Sequence, residues 1–284
     1  MTADLAYWIF AAFAGVFGLL FGSFLNVCVA RMPEDRSVVW PGSACPSCGT
    51  AIKPYDNVPV LAWMWLRGKC RSCKQPISAL YPVVEALFGV LTFLLFRRVI
   101  PDLSYVDTGH LVAFVWYGWL VFALVALSFI DLRHYIIPDQ FSIYSVPVGV
   151  AGAALVGWLG YTGAPTWQGS VVGAMVGGGF LAAVIGVYWL VRRQEGMGMG
   201  DVKLLAMLGA WFGPIALFPI LLMASVAGSV VGVTLAITRR TGLQLALPFG
   251  PFLALGALIW LYAGRVLEPA VTVRVGAFLE LLGG

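Results

Sequence analysis

Two sets of residues in this 284-residue chain could carry chemistry. The first is a group of thiols: CPSC at 45–48 and CRSC at 70–73 hold four of the five cysteines, with 21 residues between the pairs. Each CxxC can aim two thiolates from one tight turn at a single tetrahedral metal, and a second pair closes the site. Cys45, Cys48, Cys70 and Cys73 therefore read as a structural Zn2+ site, since four protein ligands leave no position open for water. Two disulfides are the alternative, which a reducing compartment disfavours. Cys28 lies in an apolar run and reads as a small buried hydrophobe.

The second set is acidic. Glu85, Asp131, Asp139 and Asp201 lie in or beside long apolar runs, where ionisable groups are functional candidates by default. Each also has a structural reading. Glu85 sits near the start of its helix, where the dipole favours a negative charge. Asp139, ahead of Phe141-Ser142-Ile143-Tyr144, is expected to cap the amides at the start of the fourth membrane helix. Asp131 ends an apolar helix, where the dipole opposes a carboxylate, and Arg133 or His134 could compensate it. Asp201 opens the sixth helix directly after Gly196, Gly198 and Gly200, which suit unusual dihedrals or the close approach of another chain. Two aspartates brought to one water cannot both ionise easily; one then acts as base and the other polarises a carbonyl. That is aspartyl-protease chemistry. Of the two histidines, neither His110 nor His134 has an evident nucleophile partner.

The elements that must position these groups lie in a membrane. The chain is 61% hydrophobic and 11% charged, with a mean hydropathy of +0.92, which excludes an ordinary soluble domain. Apolar runs at 5–30, 111–130, 141–191, 204–238 and 241–263 are long enough to span. The third divides at the turn-like segment 160–165 and the fourth at Gly213-Pro214. With a further span over 81–100, the expected fold is an all-α polytopic membrane protein of about eight transmembrane helices. A small zinc-binding cytoplasmic loop domain lies between the first two. The Gly173/Gly177 pair reads as close helix packing.

With the N-terminus outside, 13 of the 17 Lys and Arg residues fall in inside loops, as the positive-inside rule requires. The cysteine loop, Asp131 and Asp201 are then all cytoplasmic. The net charge of +4 follows from this topology, and no nucleic-acid partner is expected. The expected divisions are a retained first helix over 1–30, the zinc-binding domain over 31–80, a transmembrane core over 81–265 and an amphipathic tail over 266–284.

The segments SFIDLRHYIIPDQ (128–140) and GMGMGDVKLLAMLGAWFG (196–213) resemble the two aspartate motifs of the bacterial type IV prepilin peptidases, relatives of the GxGD intramembrane aspartyl proteases. FGSFLNVCVARMP (21–33), both cysteine pairs, YPVVEAL (81–87) and LPFGPFLALGA (247–257) extend the resemblance over most of the chain. It implies an endopeptidase of the bacterial inner membrane that removes the leader from type IV prepilins or type II secretion pseudopilins at the cytoplasmic face. By position, Asp131 and Asp201 are the catalytic aspartates and Gly198 and Gly200 the motif glycines. The four cysteines match the family's zinc-binding domain. The resemblance also implies N-methylation of the new N-terminus with S-adenosylmethionine, for which no donor-binding residue is marked. The expected partners are prepilin or pseudopilin substrates and membrane lipid. A proton- or ion-coupled transporter and a non-catalytic assembly scaffold are the rival readings; a relay, however, would place acids at several depths.

Overall fold

The computed structural model describes residues 3–193, 198–239 and 247–264. The expected tail at 266–284 and Gly196 lie outside the described residues. Those described form helices, turns and two isolated β-bridges, with no strand among them. The chain divides into two compact units, Met1–Ala126 and Leu127–Gly284.

In the first unit, α1 (Ala3–Arg31) packs on α3 (Leu80–Val99), with a short α2 (Leu61–Trp65) in the connection between them. α3 matches the expected span over 81–100. Lipid gives two apolar helices no hydrophobic reason to associate, so contact depends on close backbone approach. Gly22 supplies it: a Cβ there would stand 2.7 Å from the Glu85 Cα. Aromatic edges add to this unit, with Phe88 and Phe122 T-shaped at 5.6 Å.

Glu85 is buried, and its Oε2 accepts the Val60 amide at 2.7 Å. Val60 holds φ +61, a conformation that a β-branched residue rarely adopts. The carboxylate thus fixes a strained backbone position immediately before α2. Of the two readings open to Glu85, the structure shows an anchoring contact.

α4 (Thr108–His134) begins in the first unit and ends in the second. The second unit continues with α5 (Ser145–Trp158), α6 (Trp167–Arg192), α7 (Met199–Phe212), α8 (Pro214–Arg239) and α9 (Gly250–Gly264). Both expected divisions appear. Thr166 caps α6 by accepting the Gly169 amide, and Gly213, at φ +78, separates α7 from α8. The tightest packing joins α6 to α7, where Gly173 and Gly209 face each other. A Cβ on either would run into the other's carbonyl oxygen, and one on Gly177 into that of Leu205. Ser170 donates a hydrogen bond to the Ala210 carbonyl across the same seam. Leu204, Leu205, Met207, Leu208 and Trp211 are all fully buried, which explains why α7 is apolar around its circumference.

Among the described residues, five helices, α1, α3, α4, α6 and α8, are long and apolar enough to cross a membrane. α5 and α7 have 14 residues each, about 21 Å of rise against a hydrocarbon core of about 30 Å. Of the eight expected crossings, five have spanning-length helices among the described residues, and α5, α7 and α9 are shorter than a full crossing requires. α5 is short because 138–145 forms a turn instead of helix: the Phe141 and Ser142 amides donate to the Pro138 carbonyl, and the Tyr144 amide to that of Asp139. The expected Asp139 cap is therefore absent. Tyr144 occupies the N-cap of α5 without a side-chain bond, and the Asp139 carboxylate instead accepts from Lys203 Nζ at 2.6 Å.

Candidate functional site

The loop between α1 and α3 gathers the cysteines. The sulfurs of Cys45, Cys48, Cys70 and Cys73 all lie within 4.8 Å of one another, and Cys45 Sγ stands 3.8 Å from Cys73 Sγ. Tetrahedral ligands with metal–sulfur bonds of about 2.3 Å would be about 3.8 Å apart, so this set fits one metal ion. Two matching turns create the cluster. The amides of Gly49 and Lys74 donate to the carbonyls of Cys45 and Cys70, whose own amides donate to Thr50 and Gln75. Gly49 at φ +69 and Lys74 at φ +61 occupy the same left-handed position in the two turns. The Thr50 hydroxyl, followed by its amide, brings the Cys48 thiol down to about 6. The Cys73 and Ser72 amides lower Cys70. Both effects favour the thiolate that metal binding requires. Outside the cluster, Arg71 grips Asp56 through two bonds of 2.7 and 2.6 Å.

The acidic site is built within the second unit. Asp131 lies in the last turn of α4 and Asp201 in the first turn of α7; they are 5% and 9% exposed. Their charges are close enough to act on each other. The two aspartates singled out by sequence are thus both buried and electrostatically linked, whereas Asp139 is drawn off to Lys203. Arg133 and His134 are exposed and pair with no carboxylate among the described residues, so neither compensates Asp131.

The compensation comes from a residue that sequence left without a role. The Gly250 amide, at the start of α9, donates to the Asp131 carboxylate. A Cβ at position 250 would stand 2.6 Å from Asp131 Oδ2. Any larger residue at 250 would require the Asp131 carboxylate to shift. The available signal was LPFGP itself, a glycine between prolines at the mouth of an apolar helix.

The motif glycines divide by task. Gly200 is helical and lies against Ile137, whose Cβ would be 3.1 Å from a Cβ at 200. Ile137 Cδ1 would stand equally close to a Cβ at 250, so this side chain fills the space between α7 and α9. Gly198 is the N-cap of α7 at φ −71 and ψ 143, an ordinary extended conformation. Among the described residues, a Cβ there would meet only the Gly200 amide nitrogen, at 3.9 Å. The expected unusual dihedral is not found at Gly198 or Gly200, and open space at Gly198 replaces it as the notable feature.

Fold and sites together define a multi-pass membrane protein with two buried aspartates at helix ends and a separate cluster of four cysteines that could hold a metal ion. Residues 16–99 match the model of the bacterial peptidase A24 N-terminal domain, and residues 118–233 that of the type IV leader peptidase family. Over 280 residues the chain is 36% identical to a prepilin leader peptidase/N-methyltransferase of Aeromonas hydrophila, covering 89% of this chain and 91% of the relative. A protein of the same name from Burkholderia pseudomallei (strain 1026b) is 37% identical over 278 residues, covering 89% and 85%. One from Myxococcus xanthus is 43% identical over 237 residues, covering 82% and 66%. No solved structure matches. The chain belongs to the type IV leader peptidase family, and with its five spanning-length helices it is a multi-pass protein of the bacterial inner membrane.

Proposed function

We propose that this protein is a prepilin leader peptidase in which Asp131 and Asp201 act as one catalytic pair, and that it also methylates the N-terminus it creates. The observation that supports this reading is that the carboxylates of α4 and α7 are both buried and that the charge of Asp131 acts on Asp201. One aspartate takes a proton from water, and the water oxygen adds to the scissile carbonyl carbon while the other aspartate protonates the carbonyl oxygen. The tetrahedral species then breaks its C–N bond; the departing amine takes the proton that the first aspartate removed from water, and the second aspartate recovers its own as the carbonyl reforms. Gly198 leaves room for the substrate strand, and Gly250 holds Asp131 in place.

Both aspartates lie at the same end of the membrane helices, the end to which the distribution of Lys and Arg assigns the cytoplasm. That edge is where the leader of a membrane-inserted prepilin meets its apolar helix. In this reading residues 31–80 form a zinc-binding domain and 81–265 the peptidase core. Cys45, Cys48, Cys70 and Cys73 would hold Zn2+, which tightens a loop that has little apolar core of its own. S-adenosylmethionine, when bound, supplies the methyl group; the relatives' names support this half, and no described residue is assigned to the donor. Substrates are prepilins or pseudopilins in the lipid bilayer, without a nucleic-acid partner.

The test is incubation of the purified protein with a prepilin, followed by mass spectrometry of the product N-terminus with and without S-adenosylmethionine. The expected product lacks the leader and gains one methyl group only when the donor is present. An intact prepilin would overturn the peptidase reading, and a cleaved but never methylated product would overturn the second activity.

A further inference from the structure

The short helix α2 is held on one side and bare on the other. Its inward face is fixed: Ala62 is buried, and Trp63 donates through Nε1 to the Ile77 carbonyl at 3.1 Å. A Cβ on Gly68 would stand 2.8 Å from the Trp63 ring, so the turn after α2 closes over the same side. The outward face consists of Leu61, Met64 and Trp65, which are 65%, 62% and 84% exposed. Spacings of three and four residues put all three on one side of the helix. Arg67 and Lys69 follow at once, both exposed and in no ion pair among the described residues.

Two contacts place α2 at the start of α3. The Val60 amide, immediately before α2, donates to Glu85 Oε2 at 2.7 Å, and Ile77, which holds Trp63, lies just ahead of Leu80, the first residue of α3. α3 has 20 residues, about 30 Å of rise, which matches the hydrocarbon core with no helix to spare. Its first turns therefore lie at the membrane edge. Glu85 is about 8 Å along the axis from Leu80, and helical side chains lean toward the N-terminus, which brings its carboxylate back toward that edge. α2 is thus pinned at the depth where headgroups meet acyl chains. Tryptophan is favoured at that depth, its ring apolar and its N–H able to reach a headgroup. Basic side chains beside it are attracted to the anionic lipids of the cytoplasmic leaflet.

We propose that α2 is a membrane-surface anchor: Leu61, Met64 and Trp65 enter the upper acyl chains of the bilayer, and Arg67 and Lys69 bind anionic phospholipid headgroups. The loop between α1 and α3 is then fastened to the membrane between its ends as well as at them. A bilayer fits this face better than a protein partner does, because three side chains offer far less than the roughly 800 Å² per partner that a stable protein interface buries.

The test uses the full-length protein in nanodiscs of phosphatidylcholine and phosphatidylglycerol, with acyl chains either ordinary or brominated near the headgroup, since bromine quenches the indoles it touches. Subtracting the emission of Trp65→Phe from that of wild type isolates Trp65 among the 11 tryptophans. The expected difference spectrum is blue-shifted in ordinary lipid and largely lost in brominated lipid. Arg67→Gln with Lys69→Gln restores part of it, as does leaving out phosphatidylglycerol. A red-shifted Trp65 spectrum of equal intensity in both lipids overturns the anchor, and quenching that ignores both the two substitutions and the lipid charge overturns the role of the cations. Independently, p-benzoylphenylalanine in place of Trp65 should crosslink to lipid on irradiation. Capture of a second copy of the chain or of added prepilin instead, or no adduct, overturns the proposal.

Discussion

Cys45 and Cys73 are 28 residues apart, and the turns that aim them close within a few residues of each cysteine, through hydrogen bonds such as Cys45 to Thr50 and Cys70 to Gln75. Asp131, Asp201 and Gly250 come from three helices, and the α7 that carries Asp201 is seated on α6 through the touching backbones of Gly173 and Gly209. The cysteine cluster is thus made from two local turns, and an ion bound by all four thiols would join them. The aspartate site is made from helix packing, and its precision is that of the whole second unit. Substitutions that damage one should spare the other.

The largest expected effect is on chemistry alone. Asp131→Asn or Asp201→Asn lowers cleavage at least about a thousandfold, at the upper end of what positioned acid–base groups supply. Circular dichroism and metal content stay at wild-type values. Next comes Cys70→Ser, for which elemental analysis should show the metal lost and limited proteolysis should show cutting within 31–80. Helix packing in the second unit is expected to hold, and collapse of both regions would break the contrast.

Gly209→Val tests the opposite direction. The added branch meets the Gly173 carbonyl, and overpacking of this kind costs about 1–3 kcal/mol. Thermal unfolding and cleavage should both suffer while the metal stays bound. The smallest effect is at Thr50→Val, which removes the hydroxyl that brings Cys48 down to about 6. A depressed thiol favours the metal-binding thiolate above that value and loses the advantage as pH falls through it. Without the hydroxyl the thiol moves back up, so acid titration against a chromogenic chelator should show release beginning at a higher pH than in wild type.

How legible each region was in the sequence follows from the same contrast. The cysteine cluster could be read because each half of its chemistry fits in a four-residue window, with Gly49 marking one left-handed turn. Lys74 hid the matching turn, since a lysine gives no sign of positive φ. Helix limits such as Gly213-Pro214 were plain, as was the close packing at Gly173 and Gly177. Asp131 and Asp201 could be identified as acids at the membrane edge, and the family resemblance paired them. Asp139 was misread as a cap because nothing local reveals that Lys203, distant in sequence, takes its carboxylate. Gly250 was quoted within LPFGP but had no role, since its partner, Asp131, lies on another helix. The backbone at Gly198 also differs from expectation: what glycine provides there is space, at an ordinary φ.

The central claim is that two aspartates on separate helices act as one unit. Prepilin cleavage rates for Asp131→Asn, Asp201→Asn and the double variant, each purified and folded, test it directly. Groups that act together are grossly non-additive when removed. The account predicts that the double variant is no slower than either single one, with all three at the same residual rate. Losses that multiply in the double variant, or near-normal cleavage by either single variant, would contradict it.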